Sequence, residues 1–261
     1  MRLLVSLLLL LTAAGRAGAQ SPADGSTDSA EAIPTRLVVH AVAHGAKVLG
    51  DGVGGARITI RDRDTGAVLA EGVQRGTTGY TDRIMRVGHA RGDTLYATPG
   101  TAAFDTTLAL TGPTPVIVTA EGPLGTPHAM RQATASLVLL PGQDVGGDGI
   151  VLTLYGLLVE AEEVTSTAGR LAVRATVEML CGCPTEPGGL WDTDGLTVTA
   201  RLVQGGRTLT EAPLRYAGTP SHYEGTLLLD GPAPDGAEVV VLATDGANTG
   251  LARRPLLLRD R

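Results

Sequence analysis

Apolar and polar residues alternate along much of the chain from residue 36 onward. In residues 56–61, every second residue is apolar, namely Ala56, Ile58 and Ile60, and the residues between them are charged or polar. Successive side chains of an extended strand point to opposite sides, so this pattern predicts a strand with one buried face and one solvated face. The same alternation recurs at residues 171–181 and 196–202.

Turn-forming residues separate further short segments of this kind. An Asp-Thr-Gly turn at residues 64–66 predicts a hairpin, and the first half of the chain has no sustained helical period. Many short strands between Gly and Pro turns predict an all-β sandwich architecture. The predicted strands cover residues 37–44, 56–61, 67–71, 83–87, 94–97, 105–110, 115–121, 133–140, 150–161, 171–181, 196–202, 208–214, 222–229, 237–243 and 253–258.

A glycine-rich stretch near the middle predicts a domain boundary. Residues 141–149 hold four glycines and a proline, and Val145 is their only bulky core residue. Such stretches typically join domains. We therefore expect two consecutive β-sandwich domains, at residues 35–143 and 149–261.

The amino-terminal residues indicate export. Arg2 precedes an apolar run at residues 3–14, and Ala17-Gly18-Ala19 fits a signal-peptidase site, so residues 1–19 are predicted to be a cleaved signal peptide. The run is shorter than the roughly 20 residues that a membrane span needs. Residues 20–34 are polar and predict a flexible leader. The mature protein is expected in the periplasm or outside the cell, with no transmembrane segment.

Charge and composition restrict the classes of partner that the protein is expected to bind. Removing the signal peptide takes away two arginines and no acidic residue, so the net charge goes from −6 to −8. Without a basic block, this charge argues against nucleic acid and anionic lipid surfaces. The chain has one Phe, one Trp and five Tyr, so the core must consist mainly of Val, Leu, Ile and Ala.

Two short patterns resemble known modules. The strand, Asp-x-x-Thr-Gly turn and second strand of residues 55–70 resemble the opening of transthyretin-like and carboxypeptidase-regulatory-like domains. The Asp245–Gly250 turn and the Tyr223–Leu227 strand are similar to those of bacterial immunoglobulin-like or fibronectin-type modules. The resemblance implies two immunoglobulin-like antiparallel β-sandwiches. Because these families are mostly non-enzymatic accessory modules, it also implies binding or spacing.

The most unusual local feature contains both cysteines, in Met179-Leu180-Cys181-Gly182-Cys183-Pro184. An exported thiol pair tends to oxidise, so one interpretation is a Cys181–Cys183 disulfide that staples a loop, with Trp191 packed over it. A second interpretation is a soft-metal site, because the thioether of Met179 and the two thiolates suit Cu(I). The third interpretation is that the cysteines are redox-active or pair with another chain.

Other polar residues give weaker signals. His40 and His44 lie in one predicted strand about 13 Å apart, too far to share an ion, and are interpreted as separate surface histidines. His89, His128 and His222 are isolated. Asp144 with Asp148, and Asp192 with Asp194, leave Ca²⁺ as a candidate ion, although solvated turns explain both pairs more simply.

The sequence offers no catalytic machinery that we could assign. It has no Gly-x-Ser-x-Gly, phosphate-binding loop or His-Glu-x-x-His pattern, and Ser221 beside His222 lacks a third group. We therefore expect a non-catalytic binding or scaffold protein, an accessory subunit that docks to a periplasmic or membrane-bound protein complex. The alternative is a copper-binding protein that uses Met179, Cys181 and Cys183. An enzyme is the least favoured interpretation.

Overall fold

The structure is a computed structural model that describes residues 31–167 and 169–256. The predicted signal peptide and the leader up to residue 30 lie outside these residues. The leader prediction extends too far, because the first strand already begins at Ile33. The first half has seven strands: β1 Ile33–Ala43, β2 Ala56–Asp62, β3 Val68–Gln74, β4 Phe104–Leu110, β5 Thr114–Gly122, β6 Arg131–Leu139 and β7 Val145–Leu154.

These strands form two sheets. One has the order β3-β2-β5-β6 and is antiparallel throughout. The other has the order β4-β1-β7, in which β1 pairs antiparallel with β4 and parallel with β7. Alternation places the core as predicted: Ile58 pairs with Ala120 and Ile60 with Val118, and all four side chains are buried. Inward residues of neighbouring strands thus pack side by side.

The second half repeats this construction with eight strands. Its sheets have the orders β12-β13-β9-β8 and β11-β10-β14-β15, and all their pairs are antiparallel. The strands are β8 Leu157–Thr167, β9 Arg170–Met179, β10 Thr197–Gln204, β11 Arg207–Pro213, β12 Arg215–Tyr216, β13 His222–Leu228, β14 Glu238–Thr244 and β15 Thr249–Pro255. The fold is all-β sandwich, as the alternation predicts.

One hydrophobic core runs through both sandwiches. Buried side chains from β2 and β5 belong to the same cluster as those from β9 and β14. The described residues from 32 to 256 accordingly form one compact unit. The division into domains at 35–143 and 149–261 stays a prediction. No helix in the described ranges is long and apolar enough to span a membrane.

The glycine-rich stretch that predicts the junction is part of strand β7. Along β1, Leu37 pairs with Val145 and Val39 pairs with Ile150, so residues 146–149 form a bulge. Gly149 has a φ of 57°, and a Cβ there would collide with the Val38 carbonyl, so the bulge needs glycine. A bulge turns side chains in new directions.

Two predicted strands of the first half are wrong. Residues 82–86 form one π-helical turn, closed by a hydrogen bond from Val87 N–H to Asp82 O (3.0 Å), and residues 94–97 are irregular. Both lie in a long excursion between β3 and β4. Their apolar residues do not alternate, since Ile84 and Met85 are adjacent, as are Leu95 and Tyr96, and no strand pairs with them.

Candidate functional site: a groove between two loops

A loop of residues 75–103, here called the cover loop, lies over the outer side of β1. Its base is held by Ala102 N–H, which donates to Thr77 O (2.9 Å), and by Val48 N–H, which donates to Thr78 O (3.3 Å). Tyr96 from this loop packs on a small cluster of Val42, Val48 and Ala102. Strand β1 is therefore buried on both faces from Leu37 to Ala43.

One carboxylate fixes the middle of the cover loop. Asp148, at the bulge in β7, accepts hydrogen bonds from three consecutive backbone N–H groups, of Leu95 (2.6 Å), Tyr96 (2.7 Å) and Ala97 (2.8 Å). Asp144 likewise accepts from Arg36 N–H (2.8 Å). The interpretation of Asp148 as a solvated turn residue is therefore wrong, whereas Asp144 is exposed. Their oxygens hold the chain, because a carboxylate satisfies backbone donors with charge-assisted hydrogen bonds.

The helical turn at residues 82–86 lies beside two cavities, which together are here called the groove. One, of about 630 Å³, lies within the cover loop and is lined by Tyr80, Asp82, Arg83, Val87, Gly88, His89, Asp93 and Thr94. The other, of about 480 Å³, lies between Arg86 and a loop of the second half at residues 184–191, here called the Trp loop. Its lining holds Trp191, Leu190, Glu186 and two glycines. Tyr80 and Val87 are 57% and 58% exposed at this surface.

Hydrogen bonds fix the Trp loop against the first sandwich. Trp191 Nε1 donates to Gly45 O (3.0 Å), in the turn that follows β1. The ring of His44 in the same turn stacks on Tyr155, with 4.1 Å between ring centroids. The Trp loop is therefore tied to the turn after β1.

Asn248 completes the connection between the sandwiches. It is fully buried, and its Oδ1 accepts from Gly156 N–H (3.0 Å) at the start of the second sandwich. Its Nδ2 donates to Asp245 Oδ2 (2.7 Å) and to His44 O (3.3 Å). The Asp245–Gly250 turn, which carries the resemblance to immunoglobulin-like modules, thus holds the turn after β1 in place.

The prediction that His40 is a surface residue is wrong. Only 1% of His40 is exposed, because it points from β1 into the space under the cover loop. Its Nδ1 donates to Ala102 O (2.8 Å), and its Nε2 is buried without a partner among the described residues. Burial lowers the pKa of His40, although the Ala102 carbonyl and Asp148 oppose this effect. The neutral ring is therefore the form that the fold favours.

We expect the fold to lose stability in mild acid through His40. The unfolded chain takes up the proton near the ordinary pKa of 6.5, whereas the folded chain does so only at lower pH. The free energy of unfolding should therefore fall as the pH drops below about 6.5, and level off below the folded pKa. Urea unfolding measured at a series of pH values checks this. A His40→Gln variant should lose less stability between neutral and acid pH than the parent.

His89→Gln is the matched control, since His89 is exposed in the cover loop. It should follow the pH dependence of the parent. An identical pH dependence of His40→Gln and the parent would contradict the assignment.

The remaining histidines lie apart from one another. His44 is in a turn rather than in the predicted strand, and it is half-buried. His128 Nε2 lies 2.9 Å from Val159 O and 3.4 Å from Glu160. His222 Nδ1 donates to Pro220 O (2.8 Å), and its Nε2 lies 3.4 Å from Glu162. In the described ranges, no three His, Cys, Asp or Glu side chains group as metal ligands would.

The cysteine segment is buried beside the first sandwich. The Sγ atoms of Cys181 and Cys183 are bonded as a disulfide, and Met179 is buried with them. Gly182 turns the chain with a φ of 75°, and a Cβ there would lie 2.9 Å from Val53 Cγ1. In the oxidised form neither sulfur is a thiolate, the form that binds Cu(I). The contact favours the loop-staple interpretation, whereas the copper and redox interpretations stay predictions.

Ser221 belongs to a buried polar cluster and not to a Ser–His pair. It has a φ of 68°, its hydroxyl accepts from Thr185 N–H (3.4 Å), and it bonds to Glu178. Thr185 Oγ1 in turn bonds Tyr223 Oη (2.8 Å). Burial raises the pKa of Glu178, and Ser221 and His222 oppose this rise. The cluster pairs polar groups beneath the Trp loop.

Sequence reasoning missed the groove and most residues that build it. It singled out Asp148 as a turn acid and Trp191 as a cover for the cysteines, but not Tyr80 or Arg86. A signal was present for Asp148. The glycines on either side of it are compatible with a bulge, which redirects side chains. The excursion at residues 75–103 carries no such local signal.

Comparisons with known proteins add little to this description. No protein-family model and no curated protein matches the chain. Among solved structures, the chain is similar to a DUF3823 family protein from Bacteroides ovatus ATCC 8483, with 10% sequence identity and a TM-score of 0.31 over 85% of this chain and 97% of that one. A TM-score this low leaves fold and function to be argued from the chain itself.

Proposed function

We propose that this chain is a non-catalytic exported binding protein whose groove between the cover loop and the Trp loop docks onto another protein. The partner belongs to a periplasmic or membrane-bound complex, of which this chain is an accessory subunit. The observation that carries the proposal is the fixed loop surface at residues 80–87, where the exposed Tyr80 and Val87 line one cavity and Arg86 lines the cavity with Trp191.

The residue types in the groove are those that bind proteins. Tyr, Trp and Arg are enriched where most of the binding energy of protein interfaces resides. The groove gathers Tyr80, Arg83, Arg86 and Trp191 from a chain that has one Trp and five Tyr in all. Exposed apolar side chains at a rigid loop surface typically mark an interaction site.

The supporting scaffold fits this role. Asp148, the Gly45 turn and Asn248 hold both loops to the sandwiches, so docking would cost little ordering entropy. The strands of the second sandwich can be lettered A to G in chain order, with β11 as C′. Its two sheets then have the orders A-B-E-D and C′-C-F-G. This order extends the ABED and CFG sheets of immunoglobulin constant domains by one strand. It supports an immunoglobulin-like module, and the amino-terminal pattern of residues 1–19 supports export.

Site-specific photo-crosslinking in the native host tests the proposal. A photoreactive side chain at position 80 should capture one reproducible protein from the cell envelope. A Tyr80→Ala, Val87→Ala double variant should recover that protein at least about tenfold less well, since each side chain is an exposed anchor.

Position 68 provides the control, because Val68 is a comparably exposed apolar residue on the edge strand β3. Val68→Ala should leave recovery unchanged. Equal capture from positions 68 and 80, or full recovery with the double variant, would contradict docking through the groove.

A further inference from the structure

Strand β6 is an edge strand without the usual protection. Its backbone pairs with β5 on one side, and in the described part of the chain its other side has no backbone partner. Edge strands normally carry charges, prolines or very short lengths, which keep other strands from pairing with them. After Arg131, no charged residue occurs until Asp144, and β6 contains no proline.

The other edge strands are protected. Asp105 lies in β4, Asp148 in β7 and Glu71 in β3. The edges β8, β11 and β15 carry Glu160, Glu211 and Arg253, and β12 is two residues long. β6 carries a single charge, Arg131 at its first residue, and the rest of the strand is uncharged.

Exposed apolar side chains lie at both ends of β6. Met130, Val138 and Leu140 are 45%, 53% and 46% exposed. They occur at even positions, and the even residues of the strand itself, from Gln132 to Val138, face solvent. The outward face of β6 is thus uncharged in the middle and apolar towards its ends.

We propose that β6 pairs antiparallel with β6 of a second copy of this chain, about a twofold axis at Ala135. In this register Thr134 lies opposite Ser136 of the second copy, and Gln132 lies opposite Val138. The exposed Met130 then lies opposite the exposed Leu140, so each copy covers apolar surface of the other. A symmetric interface must be self-complementary in this way.

The distribution of charge favours β6 as the place where a second copy binds, and it favours a second copy over an unrelated acidic partner there. The whole chain carries a net charge of −6, so two copies repel over most of their surface. The uncharged stretch at residues 132–143 is where strands can approach without opposing like charges. The pairing is separate from the groove proposed above, so either can fail without the other.

Sedimentation velocity of the full mature chain tests the pairing. From about 1 to about 300 µM, the range in which small interfaces dissociate, the protein should shift from monomer to dimer. Ser136→Lys should raise the dissociation constant at least about tenfold, because it places two lysines close to the twofold axis. Mixing Ser136→Lys with Ser136→Glu should restore a dimer that contains one copy of each.

Thr208→Lys is the matched control, at an exposed position of the edge strand β11, which already carries charge. It should leave the dissociation constant within about twofold of the parent. Circular dichroism of all variants verifies that the fold is kept.

Engineered cysteines test the register. Under mild oxidation, a mixture of Thr134→Cys and Ser136→Cys variants should form a covalent heterodimer, whereas Thr134→Cys with Gln132→Cys should not. A parent that stays monomeric throughout the concentration range would overturn the proposal. A dimer that Ser136→Lys leaves unchanged would also overturn it. So would β6 amides that gain protection from hydrogen exchange only when a different protein is added.

Discussion

Replacing Gln74 by leucine is expected to lower the free energy of unfolding by about 3–5 kcal/mol, because buried polar groups left unpaired cost about 1–3 kcal/mol each. Gln74 ends β3 and is fully buried. Its Oε1 accepts from Ala41 N–H (2.7 Å), and its Nε2 donates to Ala41 O (3.0 Å) and Leu49 O (2.9 Å). Leucine fills the space but removes the Gln74 partner of Ala41 N–H and of Leu49 O, whereas Ala41 O still accepts from Leu49 N–H (3.0 Å). Urea unfolding followed by circular dichroism measures the loss.

Gln143→Leu is the control for this change, since Gln143 is exposed in the turn before β7. Its effect should stay within about 0.5 kcal/mol, as for most surface substitutions. A loss below about 1 kcal/mol for Gln74→Leu would mean that the backbone of Ala41 and Leu49 finds other partners.

Replacing Asp148 by alanine is expected to release the cover loop and to lower the free energy of unfolding by about 2–4 kcal/mol, since hydrogen bonds to a charged group contribute about 1.5–3 kcal/mol. Three backbone N–H groups lose their acceptor at once. Hydrogen exchange should show the amides of residues 95–97 losing protection, and urea unfolding should show the loss of stability. Because the groove depends on this loop, capture by a crosslinker at position 80 should fall as well.

Asp144→Ala serves as the comparison, because Asp144 accepts one backbone hydrogen bond, from Arg36. It should cost about 1 kcal/mol and leave residues 95–97 protected. If the two variants behaved alike, the conclusion that Asp148 anchors the cover loop would be wrong.

The sequence predicts the strands well where one face is buried and the other solvated. In β2 and β9 the alternation specifies which residues are inward, and the structure buries Ile58, Ile60, Val173 and Val177 accordingly. This works because the side-chain period of a strand is two, so pattern and burial coincide. The hairpin after Asp62 follows for the same reason.

Prediction fails where a second layer covers a strand. His40 follows the period of a solvated face, but the cover loop buries that face, and nothing local at residue 40 encodes a loop some 50 residues away in sequence. In sequence, the glycines of the β7 bulge look like those of a linker, because bulges and linkers both need backbone angles that glycine adopts easily. Distinguishing the two requires knowing that β1 lies alongside, which is a long-range pairing.

The candidate site was harder still, because its parts are far apart in the chain. Arg86 and Trp191 line one cavity only after both sandwiches have formed, and neither belongs to a recognisable motif. The cysteine pair drew attention because the two cysteines of the chain are only two positions apart in sequence, yet the structure buries it as a ring beside Val53. Local rarity was thus a weaker guide than the length of the irregular segment between β3 and β4.

The parallel pairing of β1 with β7 also determines how the protein would respond to mechanical force. These are the first and last strands of the first sandwich, and they run in the same direction. If the chain were pulled from its amino-terminal side and from its second sandwich, the two strands would be drawn in opposite directions along their length. The hydrogen bonds between them would then bear the tension together rather than break one after another. A protein tethered between an envelope and a partner complex would resist extension at this pair of strands.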